Sequence, residues 1–560
     1  TSIRGIYSAS EPFLHFGLER KSKVDSVIVH WPYNEAKVYS QIEVNKKNLI
    51  VYESARPRAV KLTINPPVFN SIHTAGISSV KHRENNFDDF EKQVLLPHKL
   101  SQLGPALAVA DVNGDGLEDF FMGGATGQKA QLMIQGQDGS FKNSNDDLWL
   151  KHRILEDTEA LFFDADNDGD QDLYVMSGGN EFANRQSPYQ DRLYINNGKG
   201  DFEYKKELLP ALFESGGTVK AADFDRDGDL DLFVGNRITP WDYPTAPSSY
   251  ILENTHGKFE VHQSSRDLLD NIGMVTDAVW TDFNNDQFLD LILVGEWMPI
   301  TFIENKNGVF SLDTQHTNAH HLKGWWFCIE QADIDADGDQ DLILGNMGMN
   351  YKYKASDEAP LELFYHDFND NGKKDIVITY YNYGIQYPLR GFSCSSNQIP
   401  SLKNKIGSYS EFAVKNFNEI YGSNSFEQAT HLAVNTFQSL ILINDNEKGY
   451  TAKPLPAEAQ FSSINDMVSQ DFDQDGILDL LVVGNFYGSE IETPRNDAGI
   501  GLFLKGRGNG DFEAQTPLKI GFFTPFDAKK IQLLSDQKGK RILVANNNEA
   551  LQFFEYQALP

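Results

Sequence analysis

Asp164-Ala165-Asp166-Asn167-Asp168-Gly169-Asp170-Gln171-Asp172 is the stretch whose reading decides the fold. Carboxylates stand at positions 1, 3, 5 and 9 of a nine-residue loop, and glycine at position 6 permits a sharp turn. Alternate side chains bring oxygens to one centre, position 7 adds its backbone carbonyl, and the last aspartate closes the shell. Hard oxygen ligands in that number, on a flexible loop, suit Ca²⁺ better than Mg²⁺ or a transition metal. Without a cation the carboxylates repel one another or take up protons.

The spacing recurs at Asp111–Asp119, Asp223–Asp231, Asp282–Asp290, Asp333–Asp341, Asp367–Asp375 and Asp471–Asp479. The expected side-chain ligands are Asp111, Asn113, Asp115 and Asp119 in the first loop and Asp164, Asp166, Asp168 and Asp172 in the second. Next come Asp223, Asp225, Asp227 and Asp231, then Asp282, Asn284, Asp286 and Asp290, then Asp333, Asp335, Asp337 and Asp341. The last two sets are Asp367, Asn369, Asn371 and Asp375, and Asp471, Asp473, Asp475 and Asp479. Position-7 carbonyls come from Leu117, Asp170, Asp229, Asp339, Lys373 and Ile477. Affinity in such loops follows ligand charge and rigidity. The Asp367 loop, with two asparagines, and the Asp282 loop, with Gln287 in place of the turn glycine, are therefore expected to be the weakest.

The flanks decide the architecture. An EF-hand loop lies between helices, whereas these loops lie between short aromatic and β-branched runs. Examples are Ala160-Leu161-Phe162-Phe163 before the second loop and Leu173-Tyr174-Val175-Met176 after it. Such runs read as strands. A third run (Arg192-Leu193-Tyr194-Ile195) and a fourth beginning at Phe202 complete a unit of about fifty residues. Four strands per repeating unit read as an all-β fold, a β-propeller. Seven loop-bearing hairpins and a loop-less final unit (530–554) leave the blade count at seven or eight. Only 34 residues separate Asp333 from Asp367, which suggests a stunted fifth unit. The interval from Asp367 to Asp471 is about one repeat too long. Its excess near 382–430 carries Leu402, Ile406, Tyr409, Phe412, Phe417 and Ile420 at roughly helical spacing, so a helical insertion is expected there.

The chain has 560 residues and a formal net charge of −31, which excludes nucleic acid as a natural partner. Much of the acidity sits in the loops, and seven calcium ions would neutralise nearly half of that net charge. The two cysteines, Cys328 and Cys394, read as small buried apolar residues. No apolar run approaches a membrane span.

Residues 1–55 lie outside the repeat. Leu14-His15-Phe16-Gly17-Leu18 is followed by Val24-Asp25-Ser26-Val27-Ile28-Val29-His30-Trp31-Pro32, whose alternation suggests a half-buried strand. Together these resemble the C-terminal half of the ASPIC/UnbV module. That module flanks FG-GAP/VCBS-type propellers in the cartilage acidic protein family and in surface proteins of Bacteroidetes-like bacteria. The resemblance implies an extracellular or cell-surface calcium-binding propeller, associated with the outer membrane if bacterial, and a chain that is the C-terminal portion of a larger protein. Its missing N-terminal part is then an expected partner. Residues 56–104 are expected to be a linker, punctuated by Arg56-Pro57 and Asn65-Pro66-Pro67, with a blade-closing strand at Ile77–His82. The propeller is expected over 105–558.

Loops joining second to third strands emerge at the face opposite the acidic loops, and here they are long. They carry Trp241, Tyr243, Trp297, Tyr351, Tyr353 and Tyr487, which suit stacking on a glycan or gripping a protein ligand. No Gly-x-Ser-x-Gly or His-Glu-x-x-His is present. The sequence thus reads as a non-enzymatic binding propeller. The alternative is a polysaccharide-active enzyme such as a lyase on the same scaffold.

Overall fold

The computed structural model describes residues 14–18, 21–31, 35–52, 67–72, 74–77, 79–314, 318–422, 427–445, 449–536 and 539–556. The chain divides into Thr1–Asn65 and Pro66–Pro560. The expected boundary at 55–56 and its punctuating Arg56-Pro57 and Asn65-Pro66 lie outside the described residues.

In the first unit Val27–Trp31 pairs antiparallel with Glu35–Tyr39. Successive side chains of Val27–Trp31 alternate between half-buried and exposed, as the sequence pattern demands. The hairpin leaves Ile28 and Val38 more than half exposed, in keeping with the little apolar surface that so short a unit can cover.

The second unit is a ring of seven antiparallel sheets, six of four strands and one of five, in which Lys323–Trp325 pairs with the end of Asp290–Pro299. Their first strands are Leu107–Ala110, Asp157–Phe163, Ser215–Ala222, Met274–Thr281, Cys328–Ala332, Asp466–Gln470 and Ala528–Asp536. Each of these contacts the next, and the last contacts the first, so the ring is closed. The blades, numbered one to seven in this order, bury aromatic and aliphatic side chains between them. Between blades one and two, Phe121, Leu132 and Trp149 meet Phe162, Leu173 and Tyr194. Each such burial contributes about 1.5–3 kcal/mol.

Seven is the blade number because the fifth unit is interrupted, not stunted. Its second strand, Asp341–Gly345, pairs with Leu440–Asp445, nearly a hundred residues later. Between them a separate sheet forms in the order Ile385–Pro388, Asp375–Asn382, Leu361–His366, Thr430–Val434. Four short helices, Phe392–Gln398, Leu402–Lys405, Tyr409–Val414 and Phe417–Tyr421, fill the expected insertion. Leu402, Ile406, Phe412 and Ile420 form a core among them, while Tyr409 is exposed.

The closing strand also differs from expectation. Phe69–Ser71 pairs with Gln552–Tyr556 as the outer strand of blade seven. Ile77 instead lies in a turn, and Lys81 makes an isolated bridge to Ala550. Phe69 is the better anchor because its ring is fully buried among Phe472, Phe503 and Phe522. Both cysteines are free, Cys328 buried and Cys394 half-buried. Among the described residues no helix is long and apolar enough to cross a membrane.

Candidate metal-binding loops and the opposite face

Blades one to six each carry one acidic loop between first and second strands, whereas the Asp367–Asp375 loop belongs to the inserted sheet. All seven share one hydrogen-bond scheme. In the Asp164 loop the first aspartate accepts the N–H groups of Asp168 at 3.2 Å and Gly169 at 3.0 Å. Asp168 then accepts from the N–H of Asp170 at 3.1 Å. Residue 6 is left-handed in every loop: Gly116, Gly169, Gly228, Gly338, Gly372 and Gly476 have φ between 81° and 100°, and Gln287 has 77°. Position 4 is left-handed too, as at Asn167, Arg226 and Ala336, a feature the spacing does not reveal.

Gln287 makes the turn regardless, donating its N–H to Asp282 at 2.7 Å. A left-handed non-glycine costs about 1–2 kcal/mol, partly offset by the greater freedom of glycine in the unfolded chain. Gln287→Gly is therefore expected to stabilise the chain by about 0.5–1 kcal/mol in a urea titration. A destabilised variant would show that the glutamine side chain contributes contacts of its own.

The carboxylates at positions 1, 3 and 9 converge in four loops, Asp164/Asp166/Asp172, Asp223/Asp225/Asp231, Asp333/Asp335/Asp341 and Asp471/Asp473/Asp479, with ligand atoms within 4.8 Å of one another. These are the loops with aspartate at position 3, and position 5 lies outside each set. Asp166 Oδ1 and Asp335 Oδ1 are buried with no hydrogen-bond partner, which suits a cation between them and their neighbours. The last aspartate is the most buried. Asp172 accepts the N–H of Ala165 at 2.9 Å and that of Asn196 at 2.8 Å, so it ties its loop to the end of the third strand. Burial outweighs these donors and pushes Asp119, Asp172, Asp231, Asp290 and Asp375 up to about 7, and Asp341 and Asp479 up to about 6. The residues present fit a hard divalent cation.

A second set of residues, not foreseen from the spacing, holds the loops in register. Asn196 donates its amide to Gln171 O of its own loop and to Val112 O of the preceding blade's loop. Asn254 and Asn305 repeat this with Ala165 O and Phe224 O of their preceding blades. Gln135 reaches Ser535 O across the ring closure. The available signal was an asparagine at the end of the third strand with a glycine two or three residues on, as in Asn196-Asn197-Gly198 and Asn254-Thr255-His256-Gly257.

Blade six departs from the pattern. Lys505 Nζ donates to Asp473 and, at 2.6 Å, to Asp475, so an ammonium group already neutralises part of this loop. On charge count alone, the four carboxylates of Asp471, Asp473, Asp475 and Asp479 would make this a strong site. A bound cation must displace this lysine. Lys505→Met is expected to tighten cation binding at this loop by about tenfold or more in a terbium luminescence titration, since losing one competing charge-assisted bond is worth about 1.5–3 kcal/mol. An unchanged affinity would mean that the lysine swings clear at no cost.

The opposite face is more closed than the sequence suggests. Tyr243, Trp297, Tyr351 and Tyr353 are all at most 3% exposed and join Trp325 and Phe486 in one core with Leu363, Tyr365 and Ile378 of the inserted sheet. As placed, they hold the long loops together and offer solvent no stacking face. Trp241 (37% exposed) and Tyr487 (half-buried) remain accessible. Lys92 lies 4.4 Å from the Trp241 ring centre and Arg495 lies 4.1 Å from that of Tyr487. At the centre of the core, Glu296 accepts from His98 at 2.7 Å and from Tyr243 at 2.5 Å, and faces Arg237 at 3.5 Å.

The FG-GAP-like repeat family matches residues 111–175, 164–234 and 282–344, each match beginning at the first aspartate of a loop. The ASPIC and UnbV family matches residues 1–57. The chain is a β-propeller carrying FG-GAP-like repeats, with an ASPIC/UnbV match over residues 1–57. No curated protein matches it. Among solved structures, this FG-GAP propeller is similar to the V. cholerae biofilm matrix protein Bap1 (11% identity, TM-score 0.38, covering 85% of this chain and 90% of that one). It is also similar to an Agrocybe aegerita lectin described as recognising non-reducing terminal N-acetylglucosamine (13%, 0.39, 81% and 87%) and to YCF48 bound to D1 peptide (9%, 0.38, 86% and 98%). At these values nothing about ligand or activity carries over to the FG-GAP propeller.

Proposed function

We propose that this FG-GAP propeller is an extracellular or cell-surface binding protein whose acidic loops hold calcium as a structural ion and whose opposite face takes a glycan or protein ligand. The observation that carries the reading is the repetition of one hydrogen-bonded loop in six of seven blades. A reacting metal is needed once; a metal that stiffens every blade is needed in every blade. Loops of this kind fill where calcium is millimolar, which is outside the cytosol. Trp241 and Tyr487 are the accessible remainder of the six aromatics and flank charged partners, a combination suited to sugar rings or peptide side chains.

A glycan array read with a parallel product assay tests this. Calcium-dependent binding without turnover, reduced at least about tenfold by Trp241→Ala or Tyr487→Ala as for an aromatic anchor, supports the reading. Release of unsaturated sugar products would replace it with a lyase.

A further inference from the structure

A second constellation lies away from the aspartate loops, where the segment after the closing strand meets blades two and seven. His82 and Glu84 come from that segment, and Glu156 stands just before the first strand of blade two. Their ligand atoms lie within 4.8 Å of one another. Side-chain exposure is 0% for His82 and 2% for Glu84, and Glu156 as a residue is 2% exposed. His82 Nε2, both Glu84 oxygens and Glu156 Oε1 have no hydrogen-bond partner. Leaving such groups unsatisfied in the interior costs about 1–3 kcal/mol each, more if charged.

The tautomer of His82 can be read from its neighbours. Asn547 donates its amide nitrogen to Gln102 O at 3.2 Å, so its amide oxygen is the atom that faces His82 Nδ1 at 3.3 Å. Nδ1, which also stands 3.9 Å from Glu84 Oε1, therefore carries the proton, and Nε2 keeps a bare lone pair on the side of Gly104 and Glu156. Glu156 is oriented by the N–H of Thr126, which donates to Oε2 at 2.5 Å and leaves Oε1 facing inward. Gly104 keeps the space open: a Cβ there would stand 3.5 Å from His82 Nε2 and 3.7 Å from Glu156 Oε1. Lys529, the nearby cation, is engaged by Asp527 at 2.9 Å.

We propose that His82, Glu84 and Glu156 form a binding site for a single divalent transition ion of the Zn²⁺ class, distinct from the aspartate loops. One imidazole and two carboxylates match zinc's ligand set, with each imidazole nitrogen given its own task by the outer Asn547 contact. An imidazole disfavours calcium, which takes oxygen alone. An ion here clasps the incoming chain to blade two, beside the point where blade seven closes the ring.

The whole chain, with calcium held millimolar to fill the aspartate loops, is titrated with zinc chloride by equilibrium dialysis and metal analysis. One tightly held zinc per chain is expected, weakened at least about tenfold in His82→Gln and in Glu156→Gln. Anomalous diffraction at the zinc edge from wild-type crystals supplies a readout independent of variant folding, with a peak expected between His82 Nε2 and Glu156 Oε1. No peak there, or undiminished zinc in a folded His82→Gln chain, overturns the proposal and leaves a pocket closed by protonated carboxyls alone.

Discussion

Stripping calcium from the FG-GAP propeller with EDTA at neutral pH is expected to lower its melting temperature by about 10 °C or more. A ligand present at a hundred times its dissociation constant stabilises the folded state by about 2.7 kcal/mol per site. The four loops with converging carboxylates together then rival the whole stability of an ordinary domain. The dependence on pH gives the effect a signature. In the metal-free chain the closing aspartates have carboxyls raised to about 6 or 7 by burial. A raised carboxyl favours the fold below its ordinary value, and that contribution is lost as pH rises through 6–7. Calcium needs the deprotonated form, so its contribution grows over the same interval. Calorimetry with and without EDTA should therefore show a gap that widens from pH 5 to pH 8. Single loops should rank by charge, with Asp223→Ala costing more than Asp367→Ala. A melting temperature indifferent to EDTA would mean that the backbone N–H donors hold these loops unaided.

Glu296→Gln is expected to cost about 3–5 kcal/mol, because it removes one partner from a buried charged network. Burial alone would raise the Glu296 carboxyl, but His98, Arg237 and Tyr243 outweigh it and hold it down at about 2. A depressed carboxyl stabilises the fold above its ordinary value, and that stability is lost as pH falls from about 4.5 toward 2. The wild type should thus lose stability over that acid interval more steeply than the variant, in urea titrations with calcium present. Tyr243→Phe should cost only about 1 kcal/mol, the worth of one hydrogen bond. If Glu296→Gln costs less than that, the core of the opposite face rests on its aromatic packing rather than on this carboxylate.

The acidic loops were legible because their geometry is local. Asp164 accepts hydrogen bonds from residues four and five places on, so nine residues specify the turn wherever it occurs. The strands beside it were legible for the same reason: alternation and β-branched runs act within a few residues. The left-handed Gln287 followed from its place in the register. The four loops with converging carboxylates are those with aspartate at position 3, a difference visible in the chain itself.

What the tertiary structure alone decided depends on partners far apart in sequence. The Asp333 and Asp367 loops carry the same local signal, yet one sits in the ring and the other in an inserted sheet. The difference lies in Leu342–Leu344 pairing with Leu440–Leu442 rather than with a nearby run. Lys505 reaches Asp475 from thirty residues away, and no spacing rule links them. Tyr243 and Trp297 look like exposed loop aromatics until the inserted sheet packs over them. His82, Glu84 and Glu156 become neighbours only when the ring closes. Hydrogen bonds between near neighbours leave a periodic trace in sequence, whereas burial and long-range pairing depend on every segment that comes to lie alongside.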